Sequence, residues 1–313
     1  MTMLSSPDRP QLGIALIVIG VTLISVNDML IKALSGGYPL HQLVFLRSAV
    51  AIWIALAMLR VEGGFSLLKT ATPGLHAVRA LMIVVANLTY FAALAMLPLG
   101  LATAVFFVAP LFITLLSIPI LGETVGPRRI VAVGVGFMGV LVMLDTAGAR
   151  DAPLWAFALP VVAALFYAGM QVLTRKLGAA SAASAMSLYI HVAFLSTSAL
   201  VYLAVGDGRF LPMVENDSLR FLLRPWIWPT PQDWVLIVST GVMGGFIGYA
   251  LSQAYRVGDA GLIAPFEYIA LPMAIFWGWV VFGEVPGVRL WIGSAMIAGA
   301  GIYVVLREAR LRP

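Results

Sequence analysis

The chain has 313 residues, of which 61% are hydrophobic and only 11% charged, with a mean hydropathy of +1.00. A soluble domain averages roughly 25% charged residues, so this composition excludes a water-soluble fold and places the chain in a bilayer. The formal charge of +5 lies mostly in short loops, where it sets orientation and does not call for nucleic acid; the absence of cysteine excludes disulfides, thiol catalysis and Cys-ligated metal.

A membrane crossing needs roughly 20 apolar residues. Ten stretches of that kind predict ten transmembrane helices, at 11–33, 40–60, 75–97, 100–121, 128–146, 153–175, 184–206, 233–256, 261–282 and 287–307. They use up most of the chain and leave no sizeable soluble domain. The first reads as a retained helix because no small-residue cleavage site follows it. With the N-terminus inside, the cytoplasmic segments hold twelve basic residues: Arg9, Arg60, Lys69, Arg79, Arg128, Arg129, Arg175, Lys176, Arg256, Arg307, Arg310 and Arg312. The outer segments hold six: Lys32, Arg150, Arg209, Arg220, Arg224 and Arg289. This bias predicts a multi-pass protein of the bacterial inner membrane with both termini in the cytoplasm.

An ionised side chain at the bilayer centre costs ~2.5–3.5 kcal/mol on insertion scales, so each one needs a reason. Asp28 follows Asn27 in the first span, and Arg47 lies about two turns into the second. A static ion pair between them and a substrate or gating role both account for their presence. Lys32, four residues after Asp28, competes for the carboxylate. In the third span Asn87 and Tyr90 share a face. Tyr167 and Gln171 share one in the sixth, as do Tyr249 and Gln253 in the eighth. Any one pair is explained by a bond to a neighbouring helix, but their joint occurrence predicts a polar cavity. Glu267, beside Tyr268 in the ninth span, is a candidate proton carrier; the alternative is a neutral carboxyl held by hydrogen bonds. Between the seventh and eighth spans, residues 207–232 alternate bulky apolar and basic residues. They read as a segment on the membrane surface, with Trp226, Trp228 and Trp234 in an interfacial belt.

One phrase occurs twice. Gly122-Glu123-Thr124-Val125-Gly126-Pro127-Arg128 and Gly283-Glu284-Val285-Pro286-Gly287-Val288-Arg289 both read G-E-x-x-G-x-R, 161 residues apart (283 − 122). Gly100-Leu101 matches Gly261-Leu262 in the same register, and Pro110 and Pro272 fall one residue out of it. The chain therefore divides into repeats at 1–150 and 151–313. Five spans per repeat is odd, so the second enters the membrane inverted. Glu123 and Glu284 fall at membrane edges and read as structural corners, each near the N-terminus of the helix that follows it. Gly134, Gly136 and Gly139, and Gly293, Gly299 and Gly301, allow the last helices of the two repeats to pack as a scaffold or a homodimer surface.

These residues resemble the EamA-type branch of the drug/metabolite transporter superfamily over nearly the whole chain. The resemblance rests on Asn27-Asp28 with Lys32, Phe45-Leu46-Arg47, Ala109-Pro110 leading to Leu121-Gly122-Glu123, and Ala264-Pro265-Phe266-Glu267-Tyr268 leading to Phe282-Gly283-Glu284. It implies an all-α basket of ten helices around a central cavity, and alternating access moving a small metabolite without a bound cofactor. It is nearest to branches that carry S-adenosylmethionine or riboflavin, and amino-acid-like solutes also fall within it. Pro110 and Pro272 would then be hinges, Asp28 a site for a cationic group, and Glu267 the proton-coupling acid. The competing class is an integral membrane enzyme acting on a lipid-phase substrate; the chain has no H-E-x-x-H, no aspartate-rich pair and no G-x-S-x-G to support it.

Overall fold

The structure, a computed structural model, describes residues 10–122, 126–143, 152–177, 181–214, 216–257 and 264–311. Its regular structure is entirely helical among these residues. In lipid a backbone N–H or C=O without a partner costs several kcal/mol, and a helix satisfies them all within one segment. The elements are α1 (Pro10–Leu34), α2 (Leu40–Glu62), α3 (Pro73–Leu94), α4 (Leu99–Phe106), α5 (Ala109–Leu121), α6 (Pro127–Met143), α7 (Leu154–Leu177), α8 (Ala183–Val205), the short α9 (Asp217–Leu223), α10 (Pro231–Val257), α11 (Ala270–Phe282) and α12 (Val288–Leu311). Short 3₁₀ turns at Phe65–Leu68, Leu211–Met213 and Ala264–Ile269 join them.

Seven segments are long and apolar enough to cross a membrane: α1, α2, α3, the α4–α5 pair, α7, α8 and α10. Three shorter apolar helices accompany them, at Ile130–Met143, Phe266–Phe282 and Val288–Tyr303. The chain is thus an all-helical membrane protein. Its core is apolar and continuous, from Ile17 and Val21 on α1 through Phe91 and Leu94 on α3 to Leu271 and Ile275 on α11.

Both proline-bearing segments are broken rather than continuous, a feature that hydropathy does not report. Pro110 has no N–H to give the Phe106 carbonyl, and α4 stops at Phe106; α5 restarts at Ala109 after the N-cap Val108. Pro272 has none for the Tyr268 carbonyl. The chain there runs as a 3₁₀ turn to Ile269 before α11 begins at Ala270. Glu267 and Tyr268 therefore sit on a 3₁₀ turn and not in an α-helix. The two breaks match residue for residue at the 161-residue offset: Val108 with Ile269, and α5 with α11, each of 13 residues. Each helix ends on a left-handed glycine, Gly122 at φ 71° and Gly283 at φ 67°. A residue with a β-carbon is strained there, which is why the G-E phrase begins with glycine.

α6 and α12 pack against one another through glycine. A β-carbon on Gly139 would lie 2.8 Å from the Gly293 carbonyl oxygen, and one on Gly293 would lie 2.6 Å from that of Gly139. Gly134 and Gly299 face open space. Gly301 leaves room for Tyr268, whose hydroxyl occupies the place of the missing side chain. The Tyr268 ring lies 5.1 Å from that of Phe107, its counterpart at the 161-residue offset.

The 207–232 connection differs from the surface segment expected. α9 is capped by Asn216, and Ser218 Oγ donates to the Ala92 carbonyl of α3 at 2.6 Å. Phe221 is fully buried, and Arg224 donates to the carbonyls of Ser35 and Gly36. Gln42 of α2 exchanges two hydrogen bonds with the Ile227 backbone. Trp226 packs among His41, Phe45 and Tyr202, while Trp228 is exposed beside Trp234. The segment is a cap over the ends of α1, α2 and α3, and Trp226 belongs to that cap and not to a belt.

Candidate functional site

α1 places Asn27 and Asp28 inside the bundle. The Tyr90 hydroxyl of α3 donates to Asp28 Oδ2 at 3.1 Å. An O–H has one proton to give, so Thr103 of α4, 2.9 Å away, donates to Tyr90 in turn. The result is a directed chain, Thr103 to Tyr90 to Asp28. Asn27 Nδ2 stands 3.5 Å from Asp28 Oδ1, at the limit of a hydrogen bond, and its own Oδ1 is buried without a partner.

Asp28 and Arg47 are not a contact ion pair. Arg47 Nη2 donates to Asn87 Oδ1 at 2.6 Å, and its guanidinium lies over the rings of Phe91 and Phe194 at 5.1 and 5.6 Å. It remains within electrostatic range of Asp28. The contact with Asn87 is a charge-assisted bond, worth about 1.5–3 kcal/mol. Two faces of aromatic quadrupole add to it.

From Tyr90 a row of rings crosses the interior. Tyr90 and Phe106 are 5.2 Å apart, and Phe106 and Tyr167 are 5.3 Å apart. Gln171 Nε2 donates to the Tyr167 hydroxyl at 2.8 Å, and Glu267 lies within electrostatic range of that hydroxyl. The row thus runs from one carboxyl to another, Asp28 to Glu267. Asp28 and Tyr167 are enclosed deep in the bundle, yet both keep accessible surface, as do Asn87, Phe106, Gln171 and Glu267. Side chains that line an internal space have this combination.

The structure thus brings together Asn27, Asp28, Tyr90, Tyr167, Gln171 and Glu267, with Arg47 and Asn87 as an adjacent pair. It sets the others apart. Tyr268 faces Phe107 and its hydroxyl is buried without a partner. Gln253 donates to Glu62 at the end of α2, at 3.0 Å. Tyr249, one turn earlier on α10, is half-buried and makes no side-chain hydrogen bond among the described residues. No cluster of three or more His, Asp or Glu able to hold a metal occurs among the described residues.

Three residues of consequence were not assigned roles from sequence. Thr103 had no signal beyond being polar in an apolar run. Lys32 does not compete for Asp28. Its ammonium meets Glu284 Oε1 at 2.8 Å and the carbonyls of Leu97 and Leu94 at 2.6 and 3.2 Å. Glu284 in turn accepts the Leu99 N–H, the first of α4, at 2.7 Å. The carboxylate caps α4 and not the helix that follows it in sequence. Glu123, its counterpart in the first repeat, lies outside the described residues.

The EamA-like transporter family matches residues 11–145. A riboflavin transporter of Vibrio cholerae is 31% identical over 276 residues, 88% of this chain and 85% of that protein. The chain belongs to the EamA-like transporter family. It is a membrane transporter of the drug/metabolite superfamily. Other relatives in this family are an S-adenosylmethionine uptake transporter of Rickettsia prowazekii, 26% identical over 95% of this chain and 94% of that protein, and a pseudopaline exporter of Pseudomonas aeruginosa, 27% identical over 94% and 96%. A crystal structure of a protein 22% identical covers 98% of this chain and 100% of its own, with a TM-score of 0.66, and is like it in fold.

Proposed function

We propose that this EamA-family protein carries a planar heteroaromatic metabolite, riboflavin in the first instance, across the bacterial inner membrane. The observation that carries this reading is the ring row Tyr90–Phe106–Tyr167 with hydrogen-bonding groups at both ends. Rings spaced 5.2 to 5.3 Å apart offer faces and edges to a flat solute. Asp28, Gln171 and Glu267 offer acceptors and donors to its rim. The riboflavin transporters among the relatives support the choice. A second reading is favoured by Asp28: a carboxylate with only hydroxyl and amide neighbours suits a cation, and the uptake transporters named for S-adenosylmethionine support that alternative.

The mechanism proposed is alternating access by two inverted five-helix repeats, 1–150 and 151–313, ten spans in all with both termini cytoplasmic. The residue-for-residue match of α5 with α11 and of Gly122 with Gly283 supports the duplication. Pro110 and Pro272, next to the paired breaks, are the bending points, and the Lys32–Glu284 clamp holds the outer end shut. Glu267 is the proton-coupling acid and Asp28 a substrate contact. Because Gly139 and Gly293 are used within the chain, a homodimer would meet through the open Gly134 and Gly299 face.

The test is uptake of radiolabelled riboflavin and of S-adenosylmethionine by proteoliposomes holding the purified chain, each with and without unlabelled solute on the far side. Riboflavin uptake that is trans-accelerated supports a carrier. Uptake of S-adenosylmethionine alone moves the assignment to the second reading. Chemical conversion of either solute would make the protein an enzyme.

A further inference from the structure

We propose that Arg79 anchors a second site, one for an oxyanion, at the end of the bundle opposite the Lys32–Glu284 clamp. Arg79 lies in α3, about 9 Å from its start, and is 5% exposed. Its Nε donates to Thr174 Oγ1 of α7 at 2.6 Å. Its Nη1 is buried and has no acceptor. No carboxylate pairs with it among the described residues.

The neighbours confirm the pattern. His76, one turn earlier on α3, is 4% exposed; its Nε2 stands 3.2 Å from Ser181 Oγ, and its Nδ1 is also buried without a partner. Its ring lies 5.2 Å from Tyr189 of α8, whose hydroxyl is spent on the Leu68 carbonyl. The acid at this end, Glu62, receives Ser184 and Gln253. Arg79 and His76 thus hold two unmatched nitrogens side by side, between α3, α7 and the start of α8.

A guanidinium is permanently charged and carries five N–H donors in a planar fork. Burying one in a membrane protein without a counter-ion is costly, and such residues mark solute paths. The missing partner is an anion with two oxygens in a plane or on one face, a carboxylate or a phosphate monoester, which the fork grips in bidentate fashion. Asn87, on the same helix, is eight residues further on, a rise of about 12 Å. The oxyanion site is therefore separate from the ring row and lies on the opposite approach from the clamp. Riboflavin has no such group, so the inference goes beyond the substrate proposed above.

The experiment uses the full chain purified in neutral detergent, with inorganic phosphate at constant ionic strength as the first probe. Phosphate is expected to raise the unfolding temperature of the wild type saturably. In Arg79→Gln its dissociation constant should weaken by at least about tenfold, and Arg79→Lys, which keeps the charge but not the fork, should fall between. Without phosphate, Arg79→Gln should unfold at the same or a higher temperature, because a buried charge with no counter-ion has gone. The second probe is the pair riboflavin and riboflavin 5′-phosphate, which differ only in this group. The phosphate ester should bind more tightly to the wild type, and Arg79→Gln should erase the difference. A wild type indifferent to phosphate and to the ester, or an Arg79→Gln variant that responds as the wild type does, would overturn the proposal. Riboflavin that fails to bind while phosphate still stabilises the wild type would sink the substrate assignment alone.

Discussion

Lys32 and Glu284, 252 residues apart (284 − 32), form one ion pair at 2.8 Å that joins four chain segments. The ammonium sits on the carbonyls that end α3, the carboxylate on the N–H that begins α4, and Glu284 itself belongs to the turn between α11 and α12. Each charge faces the helix end of opposite partial charge. The Lys32 ammonium also lies 5.4 Å from the Phe282 ring. Opening this end of the bundle requires all of these contacts to separate together.

Glu284→Gln keeps the shape and removes the charge. We expect the closed outer end to lose about 1.4 kcal/mol of its advantage, a tenfold change in the population of the open form. The chain has no cysteine, so a single Gln171→Cys reporter is clean. Labelling of that thiol from outside by a membrane-impermeant maleimide should run about tenfold faster with Glu284→Gln than without it. Equal rates would mean that the clamp does not govern access.

Asp28→Asn retains an acceptor for Tyr90 but not the charge, whereas Tyr90→Phe retains the charge but removes one hydrogen bond. A substrate contact through the carboxylate predicts a loss of about tenfold or more in uptake for the first. The second should lose only about threefold to tenfold, the worth of one neutral bond. The reverse order in an uptake assay would transfer the role to the tyrosine.

Glu267→Gln should abolish accumulation driven by a pH gradient while leaving exchange of solute for solute largely intact. Accumulation that follows the gradient as in the wild type would remove Glu267 from coupling.

Gly301→Ala puts a methyl where the Tyr268 hydroxyl lies, and overpacking of this kind costs about 1–3 kcal/mol. The unfolding temperature should fall, and Tyr268→Phe should restore part of it, because the hydroxyl it removes has no hydrogen-bond partner. Additive losses in the double variant would show that the two sites do not meet.

The helical class and the broken register of the two G-E corners could be read directly, because lipid demands long apolar runs and a left-handed turn demands glycine. The Asn87–Tyr90 and Tyr167–Gln171 pairings were legible as well, since three- and four-residue spacing puts side chains on one face. Partners across the fold were not legible. Spacing placed Lys32 beside Asp28, but nothing local says that a carboxylate 252 residues away and the end of α3 will claim it instead. Arg47 looked like a partner for Asp28 for the same reason, and went to Asn87 and two phenylalanine rings. Trp226 showed the limit of composition: its neighbours in sequence are those of a surface belt, but its neighbours in space are His41, Phe45 and Tyr202.

Phe107 and Tyr268 occupy the same place in the two copies of the repeated unit, and their rings touch. Equivalent atoms of a duplicated body can meet only on the line that interchanges the copies. Points on such a line are displaced least when one copy turns against the other. The ring contact is then a fulcrum: the carboxyls and rings around it would swing while it stays nearly still, and the tyrosine hydroxyl is left with no bond to break.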